Sequence, residues 1–148
     1  MLRTLKRLFE EGGGSAAVPG FERRQLHLAV AVLLHECTRV DLETHDAEQA
    51  AAENALVELF GLGPAECSAL LTEARGRTGH LTSYYAQVAV IKRDFSMEQR
   101  VALIEHLWHV AYAHQPLDPY EDHFVRKIAH LLYVPNTQVM LARSRARG

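Results

Sequence analysis

Six polar residues fall into two sets with the same spacing. Glu36, Asp41 and Glu48 lie at successive offsets of five and seven residues, and so do His109, His114 and Glu121. The second set follows the first at an offset of 73 residues. Carboxylates and imidazoles brought together in pairs can coordinate a divalent cation, and the cation offsets repulsion between the acids. Acids alone would favour calcium or magnesium. The two histidines shift the preference toward zinc, manganese, iron or nickel, with zinc the expected occupant of a recombinant sample. A second reading needs no metal. Glu48 and Glu121 fall near the third position of predicted helices, where an acid can hydrogen-bond back to the cap. Histidine is favoured near helix ends, where it meets the dipole. Capping can account for Glu48, Glu121 and His114, but not for Glu36 or His109, which sit inside apolar helices.

Other constellations carry less. His106 and His109, or Glu105 and His109, stand at helical spacings that can chelate a metal. No His-Glu-x-x-His motif exists, and no glycine-rich phosphate loop follows a strand. Cys37 lies near His35, but a cysteine on an apolar face belongs to the core. His27, His35, His80 and His130 read as surface or rim residues.

The elements that must position the six residues are all helical. Residues 1–11 form a short basic helix with Leu2, Leu5, Leu8 and Phe9 on one face. Gly12 to Gly20 reads as a linker, so residues 1–20 stand apart from a domain of residues 21–148. From Phe21 the apolar pattern recurs at helix spacing through Leu26, Ala29, Val30, Leu33, Leu34 and Cys37. Further helices are predicted over 47–60, from Pro64 to between Gly76 and Gly79, over 81–93, over 97–113, from Asp118 to about Tyr133, and from Pro135 onward. Ser96 with Gln99 is a capping box, and Asp118-Pro119-Tyr120-Glu121 is a second helix start. The fold class is therefore all-α, with about seven helices. The repeated polar spacing implies duplicated helical hairpins about a pseudo-two-fold axis, where residues meet their counterparts.

With 148 residues and 48% apolar content the chain can bury its own core. No apolar run reaches transmembrane length. The N-terminus lacks the pattern of a signal peptide. Only two cysteines occur, which suits a reducing cytoplasm. A net charge of −2 gives no electrostatic case for nucleic acid, and Arg143, Arg145 and Arg147 read as complements to a helix dipole.

Leu33-Leu34-His35-Glu36-Cys37-Thr38-Arg39-Val40-Asp41 followed by Glu48 resembles the tellurite-resistance TerB-like family. So does Leu107-Trp108-His109-Val110-Ala111-Tyr112-Ala113-His114 followed by Leu117-Asp118-Pro119-Tyr120-Glu121-Asp122. The resemblance covers roughly Phe21 to Val134, and extends to the bacterial branch that places a short basic helix before the domain. The family pattern is an apolar helix ending in Ala-Asp-Gly with a Glu about seven residues later, given twice. Here Leu42 replaces the glycine of the first copy, and His114-Gln115 replaces Asp-Gly in the second. The resemblance implies a pseudo-symmetric helical domain, a cluster of acids that binds a divalent metal, and a link to tellurite or general chemical stress. By position, Asp41, Glu48 and Glu121 inherit the metal role, and His114 inherits it as an imidazole in place of a carboxylate. The expected function is a non-enzymatic, metal-binding scaffold or sensor. The alternative is a metal-free protein–protein interaction module, forming a homo-oligomer or taking a protein partner through the N-terminal helix. A metal-dependent hydrolase or oxidase ranks last, because no nucleophile or general base stands apart from the ligands.

Overall fold

The computed structural model describes residues 19–38, 46–78, 83–113 and 117–148. The predicted basic helix over 1–11 lies outside them, as do Asp41 and His114. Among the described residues there are seven helices and no strand: α1 (Pro19–Thr38), α2 (Asp46–Phe60), α3 (Pro64–Thr78), α4 (Tyr85–Asp94), α5 (Met97–Ala111), α6 (Pro119–Leu131) and α7 (Asn136–Arg147). The all-α expectation of about seven helices holds. The expected linker gives up its last two residues, because Pro19 and Gly20 already open α1. Proline suits a first helical turn, where its missing N–H is no loss.

Helix ends follow the chemistry of the residues there. Ser96 Oγ accepts from the Gln99 N–H at 3.2 Å, and Gln99 Oε1 accepts from the Ser96 N–H at 2.7 Å, which closes the predicted capping box. Asp118 Oδ1 accepts from the Tyr120 N–H at 2.7 Å, with Pro119 at the first position of α6. Gly61 ends α2 at φ 68°, the left-handed conformation in which glycine meets no Cβ penalty.

α1 is the central helix. Residues 29–38 are all buried, and α1 packs against α2, α3, α4, α5 and α6. A helix covered on every side must be apolar all round, and the run from Ala29 to Leu34 meets that demand. His35, expected at the rim, is buried because it continues the same enclosed segment.

The duplication is larger than a hairpin. Thr38 and Ala111 end α1 and α5, Asp46 and Pro119 open α2 and α6, and each pair lies 73 residues apart. α3 and α7 then occupy corresponding places. The packing repeats as well. α1 packs on α3 as α5 packs on α7, α1 on α2 as α5 on α6, and α2 on α5 as α6 on α1. α4 has no counterpart and lies against α1. No single helix among the described residues is long and apolar enough to cross a membrane. Asp46–Phe60 and Pro64–Arg77, sufficient only when joined, bend by 117° to one another.

Candidate functional site

The repeat puts one acid at the same place in two helices. Glu48 is the third residue of α2 and Glu121 the third of α6. Both side chains turn inward, at 2% and 0% exposure. Glu36 stands on the last turn of α1 and is 2% exposed, because the end of that helix is enclosed. Three buried carboxylates on three helices thus lie within electrostatic reach of Cys37 on α1.

Cys37 reports their charge. Its Sγ donates to the Leu107 carbonyl at 3.5 Å. Burial pushes its thiol well above the ordinary value, and the negative charges of Glu121, Glu48 and Glu36 push it further. All three acids therefore act on one buried sulfur, and that sulfur stays protonated. It is no nucleophile, since the thiolate is the reactive form. Cys67 is also buried with its pKa raised, first by burial and then by Glu53 and Glu66.

Tyr120 closes the acid cluster toward solvent. Its hydroxyl donates to Glu36 Oε1 at 3.1 Å, while the ring remains half exposed. The sequence marks Asp118-Pro119-Tyr120-Glu121 as a helix start and Glu121 as a candidate ligand, but assigns Tyr120 no role. The available signal is a tyrosine directly beside the expected ligand Glu121.

The six expected ligands divide unevenly. Glu36, Glu48 and Glu121 are all buried, and the charge of each acts on the Cys37 thiol. Asp41 and His114 lie outside the described residues. His109, the counterpart of Glu36, is exposed on α5 between buried Trp108 and Val110. Its ring lies 6.1 Å from that of His106, and His106 Nε2 faces Glu58 Oε2 at 3.4 Å. Burial lowers the His106 pKa, against the upward pull of Glu58. The repeat thus breaks at this pair, because only α1 is enclosed at that level.

Among the described residues, no group of three or more His, Cys, Asp or Glu side chains is placed so that it could hold a metal ion. None of Glu36, Glu48 and Glu121 is without a partner, so their burial does not by itself demand a cation. Their chemistry is that of hard oxygen donors, which suits calcium, magnesium or manganese better than zinc.

The family model described as tellurite resistance protein TerB matches residues 27–144. The chain belongs to the TerB family. A comparison with curated proteins and another with solved structures gave no match. The TerB match takes in Glu36, Cys37, Glu48 and Glu121, so the whole acid cluster lies within the family domain. It begins after Arg23 and Arg24, which precede the matched residues.

Proposed function

We propose that this TerB domain is a non-enzymatic helical scaffold or sensor that takes up a divalent cation beside Glu36, Glu48 and Glu121. The observation that carries the reading is the burial of these three carboxylates, from α1, α2 and α6, within electrostatic reach of the Cys37 thiol. The remaining donors would come from Asp41 and His114, on the segments that join α1 to α2 and α5 to α6. With His109 on the surface, oxygen donors dominate, and the proposed ion is calcium, magnesium or manganese rather than zinc. A bound cation would supply positive charge between the acids and draw three helices onto one point. The protonated Cys37 leaves no activated thiol at the site, which supports a binding role over a catalytic one. The family description supports a link to tellurite or chemical stress. Two free cysteines suit a reducing cytoplasm.

Thermal melting with added cations tests the proposal. At a hundredfold excess over Kd, a bound ion stabilises by about 2.7 kcal/mol. For a domain of this size that is a rise of roughly 5–10 °C. Glu48→Gln with Glu121→Gln is expected to abolish the rise, and His109→Ala to leave it intact. An unchanged melting temperature with calcium, magnesium, manganese and zinc would remove the cation and favour the metal-free interaction module.

A further inference from the structure

A second polar feature lies at the opposite end of α1 from the acids. A cleft of about 300 Å³ opens between the start of α1 and α3, within the size range of small-molecule sites. Arg23, Arg24 and His27 of α1 line it, with Glu66 and Leu70 of α3 across from them. Arg24 Nη1 donates to Glu73 Oε2 at 3.0 Å, which fixes that guanidinium beside the cleft. A guanidinium carries five donors, so most remain for a ligand. The His27 ring is held against Phe60 of α2, with centroids 4.1 Å apart.

We infer that this cleft binds a small ligand bearing an oxyanion, held by the forked donors of Arg23 and Arg24 with the His27 ring as its floor. Guanidinium groups match the planar oxygen edge of phosphate-like and carboxylate groups and bind them with paired, charge-assisted hydrogen bonds. Two cations and an imidazole within two turns of one helix also repel any further positive charge. Burial, then Arg23 and Arg24, hold the His27 pKa down to about 4. An anion in the cleft offsets that repulsion. Glu66 on the facing wall opposes an anion, so the oxyanion sits on the α1 side. Two sources share this chemistry: a phosphate-bearing metabolite, or an inorganic oxyanion such as the tellurite in the family description.

The test follows the His27 ring resonance through a pH titration of the full chain, alone, with inorganic phosphate, and with tellurite. The charged groups that act on that ring are Arg23 and Arg24 on α1; Glu66 of α3 lines the same cleft, and Glu73 of α3 reaches it only through its pairing with Arg24. A bound oxyanion moves the His27 midpoint upward from about 4. Phosphate acting alone identifies a phosphate-bearing ligand, tellurite acting alone an inorganic oxyanion, and both acting a general oxyanion site. Arg23→Gln weakens binding about five-fold and Glu66→Gln strengthens it by a similar factor, the upper range for exposed charges. Arg23 and Glu66 are both exposed, so neither change threatens folding. A His27 midpoint indifferent to both oxyanions overturns the inference, as do two variants that move binding in the same direction.

Discussion

His27 carries a charge cost that pH exposes. Its folded-state pKa is held down to about 4, against 6.5 for the free side chain. Between those values the unfolded chain takes up a proton that the folded chain refuses. Stability therefore falls as pH drops from about 6.5 toward 4, and the loss levels off below that. His106, also lowered by burial, acts in the same direction. Urea unfolding across this range is expected to show the slope in the parent chain and a flatter one in His27→Gln. At this scale the sequence was partly legible. Spacing singled out Glu36, Glu48 and Glu121, and all three are buried. His109 entered the same set because it matches Glu36 in register. Register shows which residues share a helical position, but not which of two related helices is enclosed. Nothing local to His109 reveals that α5 meets solvent where α1 does not. Nothing local marks Arg23 and Arg24 as the wall of a cleft, because their partner wall, α3, lies some forty residues away in the chain.

Helix boundaries were the most legible level, because the residues that stop and start helices act through their own backbone. Gly61, Pro64, Ser96 with Gln99, and Asp118 with Pro119 each stand where the structure turns. Two substitutions test that these residues act as terminators. Gly61→Ala places a Cβ at φ 68° and is expected to cost about 1 kcal/mol. Ser96→Ala removes the acceptor of the Gln99 N–H and is expected to cost about 1 kcal/mol. Chemical denaturation of each single variant measures both. The end of α6 achieves the same left-handed turn without glycine. Tyr133 adopts φ 59°, and the Lys92 ammonium sits 4.6 Å from its ring centre, a contact worth about 0.5–1 kcal/mol where exposed. That pairing joins α4 to the turn after α6 and offsets the strained backbone. Sequence gave no hint of it, because the strain and its compensation come from different helices.

At the scale of the whole molecule, one arginine ties three helix ends together. Arg100, in the first turn of α5, donates to the carbonyls of Lys92 at 2.9 Å, Phe95 at 3.2 Å and Leu132 at 3.1 Å. Those carbonyls close α4 and α6, so the guanidinium caps two helices from a third. Arg100→Ala is expected to destabilise the fold by about 3 kcal/mol, since hydrogen bonds to charged groups contribute about 1.5–3 kcal/mol each and partial exposure discounts the sum. Arg100→Lys recovers less than half, because one ammonium cannot span a planar fork. Equilibrium unfolding of the two variants separates these outcomes. Two of the C-terminal arginines, read from the sequence as complements to a helix dipole, are also anchored: Arg143 lies over the Trp108 ring at 5.4 Å and donates to the Tyr112 hydroxyl at 2.6 Å, and Arg145 pairs with Glu105. The three-helix repeat could not be read from identities, since packing constrains shape and polarity more than residue type.

The enclosure of α1 has a consequence for how the chain is made. Its walls are supplied by helices that follow it in sequence, the last of them beginning at Pro119. During synthesis the stretch from Ala29 to Thr38 leaves the ribosome long before its neighbours exist. It must wait with its apolar flanks bare, which is when aggregation competes with folding and chaperones bind. Translation pauses or truncations ahead of α6 would strand the nascent polypeptide in that state.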